Sequence, residues 1–434
     1  MTAAFGHARA RTQPLPRQRQ RQNQHQRQHR HLRVYVAAVA ALALLPALAA
    51  APAAPVANPA AALADLGLAL LPSSGAANAV VSPLATAVAL GMVHSGASGP
   101  AEHEIEALFG APAQGARAMR HTLPALLRQL QGEAGAASPL RLAARMWVDA
   151  GAAPSVPAAY ASRLAGRWQA DALRVSFAHS EATRVQINHW TAERSAGRIK
   201  ELLGAGSVSA ATQMVLTSAV HFRSAWAKPF DAAQTVPRAF QTAGGQSKPV
   251  PTMVDERAVL QARVDGHLVL EIPFAQASGG AGFALLVALP DAGSTAAAGF
   301  SGAQLARWRA ALVPAKCALA LPRFAIAPQP GSLKPALQAL GVKTVFTEAA
   351  DLRPMLGRGA RQLHLDDVHH AAGIAVDEQG GVAVAAVAAT LRAKSLALPL
   401  PPCAVERAFS FALVHQASGA PVFVGRVGDP SLAE

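Results

Sequence analysis

Three histidines and two aspartates lie within seven residues of one another at positions 364–370, in the string HLDDVHH. Both kinds of side chain are zinc ligands, so a metal site is the chemistry that this spacing suggests first. If the string forms a strand, however, alternate side chains point to opposite faces of the sheet, and at most part of the set can converge on one ion. The string does not predict a complete metal site, and we expect none.

Other arrangements of catalytic residues are absent from the sequence. A nucleophile elbow needs a particular glycine spacing around a serine that follows a strand. The nearest string, HSGASG around Ser98, lacks that spacing and is predicted to be a turn between helices. No phosphate-binding loop, dinucleotide fingerprint or HExxH motif occurs either. We therefore expect a protein that is not an enzyme and uses no cofactor.

The stretch at residues 378–402, EQGGVAVAAVAATLRAKSLALPLPP, has the composition of a strand but begins like a loop. Between Gly380 and Thr390 it carries no charge and no proline. A period of two places on one face Gly381, Ala383, Ala385, Val387, Ala389 and Leu391. Because that face is apolar and mostly small, the stretch could enter an existing sheet without clashes or buried charge.

A basic residue followed by a small hydroxyl side chain, Lys394 and Ser395, stands near the end of this stretch. The peptide bond between two such residues is one that a trypsin-like protease can cleave. Pro399, Pro401 and Pro402 follow. Proline lacks the backbone donor, so the chain beyond the pair cannot extend a central ladder.

The same stretch resembles the hinge and reactive-centre loop of the serpins, a family of serine protease inhibitors. The similarity continues on both sides, through VHHAAGIAVDEQG and AFSFALVHQASGAPVFVGRVGDP. Further motifs fall in the order and spacing of the family: NAVVSPLATAVALGMVHSGASG, INHWTAERSAGRIKELL, VLTSAVHFRSAWAKPFD, LEIPF, LLVALPD, LALPRF and VFVGRV. Each motif alone is weak evidence, but their common order extends the resemblance over residues 57–434.

The resemblance implies an α+β serpin fold, with a large central mixed β-sheet, two smaller sheets, surrounding helices and an exposed reactive-centre loop, in one domain at residues 57–434. It implies a suicide-type inhibitor of trypsin-like serine endopeptidases that forms a covalent acyl complex with the protease and acts as a monomer. At the register usual for inhibitory serpins the cut falls between Lys394 and Ser395, and Arg392 is the alternative reactive residue. A non-inhibitory serpin that acts as a carrier or chaperone is the other interpretation.

The resemblance also assigns roles to particular residues. The hinge through which the loop would enter the sheet corresponds to Glu378, Gly380, Gly381, Ala383, Ala385 and Ala386. The polar shutter beneath the sheet corresponds to Ser82, Ser218 and His369, and the breach above it to Trp226. The chain departs from the family's usual residues at two of these regions. At the shutter Ser218 replaces an asparagine and Ala85 a serine, and at the hinge Gly381 replaces a threonine or serine.

The first residues predict a leader. Residues 1–33 contain eight arginines and no acidic residue, a composition that cannot bury apolar surface and is predicted to be disordered. Residues 34–54 are almost entirely apolar, which makes them a signal peptide or a membrane-anchoring segment. The uninterrupted apolar run is shorter than about 20 residues, so we favour the signal peptide, with secretion or export to the periplasm.

Charge is modest once the leader is set aside. The formal charge of +14 includes the eight leader arginines, and the remainder carries 31 basic and 25 acidic residues. We therefore expect no binding to nucleic acid. A predicted helix, ARAMRHTLPALLRQL, carries Arg117, Arg120, His121 and Arg128. Its counterpart in some serpins binds polyanionic glycans, but a solvated helix face is the interpretation that we favour.

The chain has two cysteines, Cys317 and Cys403. In the family layout their strands lie in the same region, so a disulfide and two free thiols are both compatible with the sequence. Between these, we favour free thiols.

Overall fold

Helices and strands alternate irregularly, as expected for an α+β protein. The computed structural model describes residues 59–71, 77–131, 138–153, 155–276, 282–293, 299–356, 362–381 and 399–432, all within the unit Ala57–Glu434. The predicted basic arm, 1–33, and the predicted signal or anchoring segment, 34–54, lie outside the described residues.

Ten α-helices lie in the described part of the chain. They are α1 (Pro59–Leu70), α2 (Pro83–His94), α3 (Pro100–Ala107), α4 (Pro112–Arg117), α5 (Leu123–Gln131), α6 (Ala158–Arg163), α7 (Ser180–Arg194), α8 (Gly302–Ala311), α9 (Lys334–Ala339) and α10 (Arg353–Leu356). A π-helical turn, Ala118–Thr122, joins α4 to α5, and another, Leu164–Trp168, extends α6. Short 3₁₀ helices lie at Phe177–His179, Ala232–Gln234, Thr344–Phe346 and Pro430–Leu432.

The described residues form eighteen strands. They are β1 (Asn78–Val81), β2 (Leu140–Asp149), β3 (Asp171–Val175), β4 (Met214–Phe222), β5 (Ser224–Ala225), β6 (Val236–Gln241), β7 (Ser247–Val264), β8 (His267–Pro273), β9 (Phe283–Pro290), β10 (Val313–Pro322), β11 (Phe324–Ile326), β12 (Gly331–Ser332), β13 (Asp367–Ala371), β14 (Ile374–Val376), β15 (Gly380–Gly381), β16 (Pro402–Ala404), β17 (Phe409–His415) and β18 (Pro421–Val427).

The strands form three sheets. A nine-stranded sheet has the order β1-β18-β17-β9-β8-β7-β10-β16, with β6 beside β7. A five-stranded sheet has the order β12-β13-β4-β2-β3, and a four-stranded sheet the order β11-β14-β15-β5. The last two sheets continue one into the other along the chain, because a single residue separates β4 from β5 and two residues separate β13 from β14. The expected α+β architecture, with one large sheet, two smaller sheets and surrounding helices, is observed.

Strand β4 lies at the centre of the five-stranded sheet and is buried on both faces. Eight of its nine residues are buried, which fits its nearly continuous apolar sequence. One face packs beneath α7, where Val215 and Ala219 join a cluster with Trp147 and Trp190. The other face packs on α2, whose residues are all buried. The start of α2 therefore lies under the sheet.

Ser82 and Pro83 explain why α2 begins there. Proline suits the first turn of a helix because its missing N–H needs no partner, and the Ser82 hydroxyl accepts a hydrogen bond from the N–H of Ala85 at 3.2 Å. The same hydroxyl donates to the carbonyl of Val422 at 2.7 Å, which ties the helix start to β18.

None of the described helices combines the length and the apolar character that a membrane span requires.

Candidate functional site

Strands β4 and β13 are paired with each other, but their continuations along the chain, β5 and β14, are separated. Strands β4 and β13 pair in parallel from Asp367 opposite Val215 to Ala371 opposite Ala219. Further along, β5 and β14 do not pair with each other, because β15 lies between them. Strand β15 is the start of the small, uncharged stretch of the sequence. Two residues of the predicted hinge therefore already hold the sheet open at this end.

Gly380 occupies a position in β15 that only glycine fits. Its φ is 141°, in a region that other residues rarely adopt, and a Cβ here would lie 2.2 Å from the carbonyl oxygen of Ser224. The absence of a side chain lets β15 approach β5 closely enough to pair Gly380 with Ala225.

We expect Gly380→Ala to expel β15 from between β5 and β14, since the added carbon collides with backbone and the φ is strained by about 1–3 kcal/mol. The backbone N–H of Trp226 donates to the carbonyl of Gln379, just before β15, at 2.8 Å. Because Gly380→Ala would break this bond, hydrogen exchange at the Trp226 amide should be at least about tenfold faster in the variant than in the unmodified protein. Gly331→Ala is the matched control, because a Cβ at Gly331 meets no atom within 4 Å. Unchanged protection of Trp226 in Gly380→Ala would contradict this account of the hinge.

Gly381 shows which way the stretch faces. A Cβ on Gly381 would point towards the ring of Phe222 at 3.1 Å and that of Phe274 at 3.7 Å, both part of the main core. The face that carries Gly381 in the sequence therefore faces the core at the one position where the structure describes it.

Trp226 and Glu378 anchor the chain just before β15. The Trp226 ring stacks on Phe274 with centroids 4.4 Å apart, and its Nε1 donates to the carbonyl of Asp377 at 2.8 Å. Glu378 is buried and accepts a hydrogen bond from the Thr235 hydroxyl at 2.6 Å. The structure thus places Trp226 and Glu378 together at the parted end of the sheet, where the sequence assigned breach and hinge.

A cavity of about 270 Å³ begins one position beyond β15, at Ala375, and no residue of β15 lines it. Residues 220–222 of β4 line one side, and residues 373–375 line another together with residues 325–328, from β11 and the chain after it. Arg198 and Ile199, from the turn after α7, close it in front. The gap between the two strand paths is therefore a real space, bounded at its far end by the direct pair of Ala371 with Ala219.

The buried polar group beneath the sheet is His370, and the prediction of His369 is wrong. Nε2 of His370 accepts a hydrogen bond from the N–H of Ser82 at 3.1 Å, and its Nδ1 lies 3.1 Å from the hydroxyl of Ser218. His369 is on the opposite face, because neighbouring residues of a strand alternate. Its Nε2 has no hydrogen-bond partner among the described residues and lies 3.8 Å from Asp367. Ser82 and Ser218 do lie together, as predicted, and the side chain that bonds to both of them is His370.

The backbone determines the tautomer of His370. Nε2 must be unprotonated because it accepts from the Ser82 N–H, so Nδ1 carries the proton and donates to Ser218. Complete burial lowers the pKa of His370 to about 4. A proton on Nε2 would face another donor, so protonation disrupts the link between α2, β4 and β13.

Acid should therefore weaken the fold through His370. A histidine whose pKa is lowered in the folded state stabilises the fold fully at a pH above its pKa in the unfolded chain, about 6.5, and this stabilisation is lost as the pH falls through the folded-state pKa. For His370, with a folded-state pKa of about 4, the free energy of unfolding should fall by about 3 kcal/mol between pH 7 and pH 4. We expect the midpoint of urea unfolding to fall less between pH 7 and pH 4 in His370→Gln than in the unmodified protein. His189→Gln, at an exposed site, should leave the fall unchanged. Equal falls in all three proteins would contradict the assignment.

Several predicted residues lie outside the described part of the chain. They are the reactive pair Lys394 and Ser395, the alternative Arg392, and the hinge residues Ala383, Ala385 and Ala386.

The preference for free thiols is wrong, because Cys317 and Cys403 form a disulfide, with Cα atoms 5.8 Å apart. Cys403 lies in β16, which pairs in parallel with β10, and the residue opposite Cys403 is Leu319 on β10. Cys317 lies on the same strand, two residues before Leu319. Both sulfurs lie on the core side of this pair, since both residues are buried. The sequence left the pairing open because it does not reveal the register of β16 on β10.

The basic helix is exposed but partly neutralised. Arg117, Arg120, His121 and Arg128 are all exposed. Nη2 of Arg120 lies 2.7 Å from Glu102 and 3.2 Å from Glu106, so this cation is already paired. Those two carboxylates and His94 form the one histidine and carboxylate trio within the described residues whose ligand atoms lie within 4.8 Å of one another. The Arg120 guanidinium supplies the positive charge there.

Sequence reasoning missed the cationic side of the cavity. His221 breaks the apolar run of β4, and Arg223 follows two residues later on the same face. A titratable residue in an otherwise apolar central strand was the available signal. The position of Arg198 over the cavity depends on the turn after α7 and had no signal in the sequence.

Comparison with known proteins shows which protein family this chain is similar to. The family model described as Serpin (serine protease inhibitor) matches residues 62–430. Antithrombin-III of Mus musculus is 30% identical over 256 residues, which are 58% of this chain and 54% of that protein, so the alignment spans about half of that relative. Serpin-ZX of Hordeum vulgare is 29% identical over 345 residues, 75% of this chain and 84% of that protein.

Solved structures show the same fold. Human thyroxine-binding globulin matches with a TM-score of 0.73 and 21% identity, over 88% of this chain and 100% of that one. The Manduca sexta serine protease inhibitor serpin-12 matches with a TM-score of 0.72 and 23% identity, over 86% of this chain and 99% of that one. At these identities the likeness concerns the fold alone.

Proposed function

This chain belongs to the serpin family, and from that premise we propose that it is a suicide-type inhibitor of trypsin-like serine endopeptidases. The protease would cut between Lys394 and Ser395, and the cut loop would enter the gap between β4 and β13. The observation that carries the proposal is β15, which lies between β5 and β14, in line with the space between β4 and β13 that a continued strand would enter.

The register of β15 supports a particular path for the proposed insertion. Gly381 lies opposite Ser224 and Val376. Continued in the same antiparallel register, residue 383 would lie opposite Phe222 and Ile374, and residues 382–385 would fill the cavity. The next residue would meet the direct pair of Ala371 with Ala219. Full insertion therefore requires β13 to separate from β4.

His370 lies where that separation must pass. Its partner Ser218 is on β4, while His370 itself is on β13, so the hydrogen bond between them spans the two strands that must part. The bond from the Ser82 N–H fixes the histidine to the helix beneath. Neutral hydrogen bonds of this kind contribute about 1 kcal/mol each, which is small enough for the strands to open once a loop is free to replace them.

The chemistry follows from the bond that is cut. The serine of the protease attacks the carbonyl of Lys394, forms an acyl-enzyme and releases the amino group of Ser395. The loop that ends at Lys394 is then free to pair along β4 and β13, with the protease still attached. A native state that leaves a strand unpaired is held by a kinetic barrier, so pairing of the new strand supplies the driving force.

Incubation with trypsin tests the proposal. A covalent complex that resists SDS should appear, and the cut protein alone should melt well above the intact one. Cleavage at Lys394 that yields neither complex nor heat stabilisation would overturn the inhibitory mechanism.

A non-inhibitory carrier or chaperone is the second candidate, favoured by the small polar cluster around His370. Ser218 stands where the family usually has an asparagine and Ala85 where it has a serine, so fewer groups hold the sheet at this point. Cleavage without complex in the trypsin experiment is the result that this candidate predicts.

We also propose secretion or export to the periplasm. The apolar segment at residues 34–54 supports a signal peptide, and the Cys317–Cys403 disulfide supports an oxidising compartment, because such bonds are rare where thiols are kept reduced.

A further inference from the structure

The cavity beside β4 has an apolar interior and a cationic mouth. Ile199, Phe222 and Ile374 line it with apolar side chains. Arg198 and His221 line it with basic ones. Such a combination, apolar walls with a few converging polar groups, is typical of sites for small molecules.

Basic side chains that do not line the cavity add to the positive charge around its mouth. Arg141 on β2 lies directly opposite His221 on β4, and directly opposed residues of an antiparallel pair share a face. Arg223 lies on that face as well, two residues beyond His221. Burial, and then the charges of Arg198, Arg223 and Arg141, lower the pKa of His221. The field at the cavity is therefore positive.

Among the residues that the structure describes, no acidic side chain balances this charge. Within the described ranges, Arg141, Arg198 and Arg223 form no ion pair and no side-chain hydrogen bond. The two acidic residues nearest in sequence to Arg198 face elsewhere, since Glu193 pairs with His189 and Glu201 with Arg184. Exposed arginines without partners over an apolar cavity leave a favourable position for an anion.

We propose that this cavity is a binding site for a small amphiphilic anion, a carboxylate or sulfonate with an apolar body. The apolar body would lie against Phe222 and Ile374, and the anionic group would lie at the mouth between Arg198 and His221. The volume of about 270 Å³ corresponds to about nine groups the size of a water molecule. It therefore suits a one- or two-ring aromatic acid or a short aliphatic acid.

Calorimetric titration with 1-naphthalenesulfonate tests the site on the intact, full chain. Binding should be measurable, and the uncharged 1-naphthalenesulfonamide should bind at least about tenfold more weakly, since it cannot form charge-assisted hydrogen bonds with the arginines. Arg198→Gln should weaken binding of the sulfonate by about the same factor. Arg194→Gln is the matched control, because Arg194 is an exposed arginine at the end of α7 that does not line the cavity.

Three results would overturn the site: no heat of binding at millimolar sulfonate, equal affinity for sulfonate and sulfonamide, or equal affinity in Arg198→Gln and Arg194→Gln. Arg198 is exposed and its side chain forms no hydrogen bond or ion pair with the described residues, so we expect its replacement to leave a folded protein to measure. The test does not depend on protease inhibition, because the cavity is present in the uncut chain and the readout is binding alone.

Discussion

Replacing Ala383 by arginine is expected to convert an inhibitor of trypsin into a substrate. In the proposed insertion, residue 383 lies opposite Phe222 and Ile374, on the face that Gly381 turns towards Phe222 and Phe274. Burial of an unpaired guanidinium against these apolar side chains costs several kcal/mol. Insertion would slow, and the acyl-enzyme would have time to be hydrolysed.

The measurement is the number of inhibitor molecules consumed for each trypsin molecule inhibited, together with the yield of SDS-resistant complex. For Ala383→Arg we expect the complex yield to fall by at least about tenfold, while cleavage at Lys394 continues at its former rate. Val382→Arg carries the same new charge on the opposite face, near exposed Arg223, and should retain most of the complex. Retained inhibition by Ala383→Arg would show that the assignment of faces is wrong.

Replacing Lys394 by alanine should remove trypsin inhibition and leave the fold intact. Trypsin recognises a basic side chain through a buried ion pair, and loss of one partner of such a pair costs about 2–5 kcal/mol. We therefore expect the rate of complex formation with trypsin to fall by about 100-fold or more. The melting temperature of the uncut protein should be unchanged.

Arg392→Ala is the matched control for this experiment, since it removes the neighbouring basic side chain. It should inhibit trypsin at nearly the rate of the unmodified protein. If the effects of the two substitutions are exchanged, Arg392 is the reactive residue and the register shifts by two. Mass spectrometry of the cut chain then identifies the bond directly.

The order of motifs allowed the fold class to be predicted, because each motif combines a local element with its neighbours along the chain. Gly380, Trp226 and Glu378 lie together at one end of the sheet, and their roles as hinge and breach stay predictions. The gap and its cavity could not be predicted, since they depend on which strands fail to pair. That property belongs to the tertiary structure and not to any single stretch of residues.

The error at His369 has a simple origin. His369 and His370 are identical in type and adjacent in sequence, and a shift of one residue moves every side chain of a strand to the other face. Ser82 and Ser218 gave no means of choosing between them until the pairing of β13 with β4 was known. The parallel pair of His370 with Ser218 decides the matter.

The disulfide between Cys317 and Cys403 has a consequence for any protease experiment. Cys403 lies downstream of the Lys394–Ser395 bond and Cys317 upstream, so cleavage yields two polypeptides that remain covalently joined. Without a reducing agent, the forty-residue carboxy-terminal peptide, 395–434, would migrate with the larger fragment on a gel. Nicked protein would then have the mobility of uncut protein, and only thiol treatment before electrophoresis would distinguish them.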